Sequence, residues 1–127
     1  SVFTQGLAED EVLPIPINHG EGRFILSDSA LEQVSSHTQF VYCTADGQVI
    51  DTPAVNPNGT TANIAGLTNK NGTVLAIMPH PERAAFLKQL PTWLESEWGE
   101  KKRQRLAELS GPWSRLFALF NYEGVPA

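Results

Sequence analysis

The sequence predicts an α/β protein, with strands to about residue 78 and helices beyond it. Short apolar, β-branched runs separated by turn residues fill the chain as far as Met78. From Ala84 onward the apolar residues recur at helical spacing instead. A length of 127 residues suits one domain with a core of its own and leaves no room for two, so residues 1–127 are taken as a single domain.

Val12 to Ile17 is an apolar run interrupted by Pro14 and Pro16, which suits an edge or irregular strand. Asn18-His19-Gly20-Glu21-Gly22-Arg23 follows as a loop, and Phe24 to Leu26 reads as a return strand. Ser27 or Asp28 can cap a short helix over Ser29 to Val34. Gln39 to Thr44 is β-rich, and Asp46-Gly47 marks a turn before Val49-Ile50. Asn56-Pro57-Asn58-Gly59-Thr60 is a dense turn signal. Ile64 to Thr68 and Val74 to Met78 should pair as a hairpin, with Asn71-Gly72 favouring a tight turn. Beyond Glu82, helices are expected over Ala84 to Leu90 and Thr92 to Trp98. Gly99 should then break the chain before a charged helix, Glu100 to Leu109. Pro112 should start a last helix with Trp113, Leu116, Phe117 and Phe120 as its packing stripe. Lys101, Lys102, Arg103 and Arg105 read as a solvated face.

Composition narrows the function. Hydrophobic content of 41% and charged content of 18% fit a globular protein. A net charge of -5 gives no general attraction to nucleic acid or to an anionic membrane. No apolar run approaches the length of a membrane span, and no signal peptide is expected. The single cysteine, Cys43, excludes an internal disulfide and suits a reducing cytosol, so the expected location is cytoplasmic. No His, Cys and carboxylate grouping has metal-ligand spacing, and no phosphate-binding glycine loop follows a strand.

The chemistry concentrates in Met78-Pro79-His80-Pro81-Glu82-Arg83. Each residue before a proline is pushed toward extended geometry, and the prolines fix their own φ. Residues two apart in an extended chain project to the same side. His80 and Glu82 can therefore sit together, the carboxylate on one ring nitrogen and the other nitrogen free: the base and orienter of a nucleophile–base–orienter triad. The same residues also suit an ordinary helix start, with Pro81 at the first position and Glu82 at the positive end.

Four segments, in order, carry a family resemblance: Pro14-Ile15-Pro16-Ile17-Asn18-His19-Gly20-Glu21-Gly22-Arg23-Phe24, Asn56-Pro57-Asn58-Gly59-Thr60, Asn63-Ile64-Ala65-Gly66-Leu67 and Met78-Pro79-His80-Pro81-Glu82-Arg83-Ala84. Together they resemble the carboxyl-terminal half of the glutamine amidotransferase subunits of phosphoribosylformylglycinamidine synthase, the PurQ family of class I triad amidotransferases. The resemblance implies a flavodoxin-like fold of which this chain is the carboxyl-terminal part. It implies that a cysteine thiolate attacks the side-chain amide of glutamine, with His80 and Glu82 as the catalytic pair. The ammonia would serve ATP-dependent conversion of formylglycinamide ribonucleotide to the amidine in purine biosynthesis. Implied partners are the synthetase subunit, which uses ATP and Mg, and a small accessory subunit. This chain itself needs no cofactor. His19 and Glu21 become candidates for a loop facing substrate or synthetase.

The chain departs from the family in three ways. It has no Gly-x-Cys-x-Gly elbow, and it opens on Ser1-Val2-Phe3 without methionine, so the nucleophile-bearing half is expected to be absent and the chain alone inactive. Cys43 lies in a β-like run with no helix start to lower its pKa, and reads as a small core residue. Phe86 to Ser110 is longer and more charged than the family leads one to expect. His37 needs no special role. One alternative function is a non-enzymatic remnant that docks on the synthetase through its charged carboxyl-terminal helices. Another is an unrelated hydrolase using Cys43.

Overall fold

The computed structural model describes residues 1–18, 20–104 and 110–118. The chain divides into two compact units, Ser1–Val12 with Ile17–Pro79, and Leu13–Pro16 with the chain from His80 onward.

The first unit is organised by a three-stranded antiparallel sheet in the order β1 (Thr38–Val41), β2 (Ile64–Thr68), β3 (Leu75–Ile77). β2 is central. It pairs with β1 through Thr38–Leu67, Phe40–Gly66 and Val41–Ile64, with irregular register between them. It pairs with β3 through Gly66–Ile77, Leu67–Ala76 and Thr68–Leu75. The hairpin forms where the sequence predicts it, but its turn is longer. A two-residue turn at Asn71-Gly72 needs positive φ at both positions, and only Gly72 has it, at +67°. Asn69 closes the loop instead. Its carbonyl accepts from Gly72 N (3.0 Å), and its side-chain oxygen accepts from Thr73 N (2.8 Å) and Val74 N (3.0 Å).

Helix α1 (Asp28–Val34) begins as expected, with the Ser27 hydroxyl accepting from Ala30 N at 3.3 Å. Two predicted strands do not form. Phe24 to Leu26 joins no strand, and its amides bond to side chains: Phe24 N to Thr60 Oγ1 (2.9 Å) and Leu26 N to Thr61 Oγ1 (3.1 Å). Val12 to Ile17 joins no ladder, because two prolines remove the donors a ladder needs.

Asn56, Thr60 and Asn63 are buried polar residues beside the apolar core of Tyr42, Ile64 and Ala65. Each is fully engaged. Asn56 Oδ1 accepts from Thr60 N (2.9 Å), and its amide donates to Thr60 O (2.9 Å). Asn63 donates to Tyr42 O (3.2 Å) and Ile50 O (2.8 Å). It adopts φ +57°, next to Ala62 at +52°, a left-handed pair that Asn tolerates better than most residues. The Asn56–Thr60 turn is therefore a structural lock.

In the second unit, Ala84, Ala85, Leu87, Leu90, Trp113 and Leu116 form the core. The helix expected over Ala84 to Leu90 is replaced by two 3-10 turns, Pro81–Ala84 and Leu87–Gln89, separated by extended Phe86 (φ -118°, ψ 140°). The interruption has a cause. Gly111 N donates to Ala85 O (2.8 Å) and Trp113 N to Ala84 O (3.1 Å), and Phe86 bridges to Ser110. Those carbonyls are thereby diverted from helical pairing.

Helix α2 spans Glu97–Arg103, so Thr92 to Trp98 is not the predicted helix and Gly99 is no breaker. Ser96 caps it, accepting from Gly99 N at 3.2 Å. Gly99 is buried inside the helix because a Cβ there would lie 1.9 Å from Leu94 O. The predicted cationic face is used to fasten loops. Arg103 donates to Thr92 O (2.8 Å), Leu94 O (3.0 Å) and Glu100, and Lys102 donates to Lys88 O (2.5 Å). Arg105 and the rest of the predicted helix to Leu109 lie outside the described residues. Helix α3 is described over Ser114–Ala118, two residues after Pro112. Trp113 and Leu116 of the predicted stripe are buried, and Trp113 Nε1 donates to Pro14 O at 2.8 Å. Phe120 lies outside the described residues.

Candidate active site

The His80 and Glu82 side chains meet as predicted, but not along an extended chain: Pro81 begins a 3-10 turn, the helix start that the same residues also suit. Pro79 and Pro81 bracket His80, whose backbone (φ -108°, ψ 85°) is neither helical nor regular strand. Its amide donates to Pro16 O at 3.1 Å, which anchors the residue from the other side. Pro81 starts the 3-10 turn and places Glu82 in its first part. The Glu82 carboxylate then reaches back, with Oε1 2.6 Å from His80 Nδ1.

The hydrogen bond from His80 is the main cause that holds the Glu82 carboxyl below its ordinary range, with nearby Arg83 a smaller one. An ionised carboxylate can only accept. Nδ1 therefore carries the proton, and in the neutral ring Nε2 is left with its lone pair. That is a base with a fixed tautomer. The side chains are 33% and 56% exposed for His80 and Glu82, so the pair is open to incoming groups.

Residues further along hold the turn. Gln89 Nε2 donates to Glu82 O (2.9 Å), and Gln89 Oε1 accepts from Phe86 N (2.8 Å). Sequence reasoning missed this residue. A continuous helix over Ala84 to Leu90 would have left Gln89 as one more surface side chain, and the helix-breaking role of Phe86 leaves no mark in composition.

The other candidates fall elsewhere. His19 lies outside the described residues. Glu21 is exposed and lines an open depression of about 530 Å³ with Gly20, Arg23, Ile25 and Asn58, in the first unit. The Asn56–Thr60 turn shapes this rim. Asn58 donates to Gly22 O (3.0 Å), and Arg23 reaches Asn58 O (3.4 Å). Cys43 follows β1, half-buried, and its thiol is pushed up by burial and then by the charge of Asp46. A thiol held protonated is the opposite of an activated nucleophile. Among the described residues no cluster of three or more His, Cys, Asp or Glu could hold a metal ion. Among them, too, no helix is long and apolar enough to cross a membrane.

A histidine held on a carboxylate can take and give protons at its other ring nitrogen, and sequence comparison gives the family. The CobB/CobQ-like glutamine amidotransferase domain matches residues 1–121, and the chain belongs to that family. Within it the chain is PurQ-like. It is 48% identical over 85 residues to the phosphoribosylformylglycinamidine synthase subunit PurQ of Moorella thermoacetica, covering 65% of this chain and 35% of that protein. The PurQ subunit of Chlorobium chlorochromatii is 49% identical over 85 residues, covering 65% of this chain and 36% of its own length. That of Methanothrix thermoacetophila is 48% identical over 88 residues, covering 67% and 34%. The chain thus spans about a third of the length of the relatives it matches.

Proposed function

We propose that this chain carries the proton-handling half of a cysteine-dependent glutaminase that supplies ammonia to phosphoribosylformylglycinamidine synthase. The observation that carries the reading is the 2.6 Å contact between His80 Nδ1 and Glu82 Oε1, in a chain of the amidotransferase family. The reading assigns the nucleophilic cysteine to protein outside this chain, because Cys43 follows β1 with no helix start beside it, and burial pushes its thiol up.

The chemistry follows from the tautomer. A thiolate attacks the side-chain amide carbon of glutamine, and backbone N–H groups stabilise the oxyanion. Protonated His80 gives its Nε2 proton to the departing nitrogen, which leaves as ammonia. Neutral Nε2 then takes a proton from water as the water attacks the γ-glutamyl thioester, and glutamate and thiolate are released. Glu82 keeps Nδ1 protonated throughout and stabilises the imidazolium. The ammonia passes to the synthetase subunit, which works with a small accessory subunit. There ATP and Mg activate formylglycinamide ribonucleotide, so this chain binds no cofactor. The same reading assigns the three strands to a flavodoxin-like sheet, a cytoplasmic location, and a substrate- or synthetase-facing role to the loop of His19 and Glu21.

The test uses the full-length protein with its synthetase. His80→Ala should lower glutamine-dependent amidine formation by about 10³-fold or more, as loss of a triad member does. Synthesis from added ammonium should be unchanged. An equal fall in both would make His80 structural and sink the reading.

A further inference from the structure

We infer that Gln89 is a positioning residue for the histidine–carboxylate pair, holding the backbone of Glu82 so that its carboxylate stays on His80 Nδ1. The inference rests on the catalytic reading of that pair. The problem Gln89 solves is local. Glu82 sits in a 3-10 turn that ends at Ala84, and two residues later the chain becomes extended at Phe86. An α-helix running on from Pro81 would have stiffened the turn through its own ladder of hydrogen bonds. Here the carbonyls of Ala84 and Ala85 bond to Trp113 N and Gly111 N instead.

The side chain of Gln89 is an amide, chemically a peptide group on a flexible stem. It bridges the interruption, its Nε2 donating to Glu82 O at 2.9 Å and its Oε1 accepting from Phe86 N at 2.8 Å. The two ends of the 82–86 segment are thereby tied through one planar group. A Glu82 backbone free to rock would swing its exposed carboxylate through several angstroms, because the side chain has three rotatable bonds beyond Cα. Orientation of the imidazole tolerates far less. Gln89 reaches neither ring nitrogen, so its effect passes through Glu82.

The measurement is the ratio of Nδ1–H to Nε2–H tautomer of neutral His80, read from ring ¹⁵N shifts in this chain. Gln89→Glu keeps the acceptor for Phe86 N–H but removes the donor to Glu82 O. Gln89→Met keeps the volume and removes both bonds. Each should lower the ratio by roughly five-fold, the factor one net hydrogen bond is worth. Glu82→Ala is the reference that abolishes the preference. If the Gln89 variants keep the wild-type ratio while Glu82→Ala loses it, the positioning role is overturned and the pair stands. If Glu82→Ala also keeps the ratio, the pair itself fails, and the inference with it. Loss of folding in both Gln89 variants would make the residue structural and equally overturn the proposal.

Discussion

At the scale of single residues, the His80–Glu82 contact gives orientation more than stability. Ion pairs this exposed contribute about 0–1 kcal/mol, because water screens the charges and the side chains must be ordered. What the contact does fix is where the protons sit. The Glu82 carboxyl is held below its ordinary range chiefly by the hydrogen bond from His80. A group whose folded pKa is depressed stabilises the fold above its unfolded pKa, about 4.3 for Glu, and loses that contribution as pH falls through the lower folded value. Carboxyl ¹³C titration should therefore place the Glu82 midpoint below that of exposed Glu residues, and His80→Ala should raise it toward the ordinary range. A Glu82 midpoint that does not move on His80→Ala would mean the bond is not made in solution. The pair was legible in the sequence only in part: the prolines restrict Met78 and His80, but Glu82 meets the ring by reaching back from the 3-10 turn that Pro81 starts, not along an extended chain.

Elements were legible where local chemistry and tertiary demand agree. The hairpin of β2 and β3 has Ile64, Thr68 and Ile77 in its strands around an Asn/Gly-rich loop, and Asn69 closes that loop with hydrogen bonds of its own. The chain after Glu82 is different. Leu87 and Leu90 are spaced three apart, which suits a 3-10 turn as well as an α-helix, and the choice is made by Gly111 and Trp113, more than twenty residues away. Gly99 shows the same limit. By propensity glycine belongs outside a helix, yet here it lies within α2, because Leu94 O occupies the space of a side chain. Two effects of opposite sign meet at this position. Alanine gains about 1 kcal/mol of helix propensity over glycine. A Cβ 1.9 Å from a backbone oxygen cannot be accommodated without moving the Leu94 loop, which Arg103 pins through Leu94 O. Overpacking costs about 1–3 kcal/mol or more, and backbone is harder to displace than a side chain. Gly99→Ala should thus destabilise the chain by about 1–2 kcal/mol net, seen as a lower urea midpoint at unchanged slope. An increase in the midpoint would show that Leu94 does not approach α2 so closely.

At the scale of the whole chain, membership of the family and catalytic competence are separate matters. The amidotransferase domain matches residues 1–121, yet the chain spans about a third of the length of its PurQ relatives. The site has the same character. His80 and Glu82 are oriented but stand in water, and general acid–base chemistry of this kind gains most when closure excludes solvent around the reacting groups. The only thiol, Cys43, is held protonated by burial and by Asp46. Orientation is thus present without an activated nucleophile. Glutamine hydrolysis by this chain alone should then be indistinguishable from that of His80→Ala and of Cys43→Ala, with the pair's geometry still readable in the Glu82 titration. Turnover above background that both substitutions abolish would make Cys43 the nucleophile, and would require a thiolate formed against both burial and the Asp46 charge. Turnover lost only in His80→Ala would point to direct base catalysis by the pair. That would be a different reaction from the thioester route proposed here, because no acyl-enzyme could then be trapped.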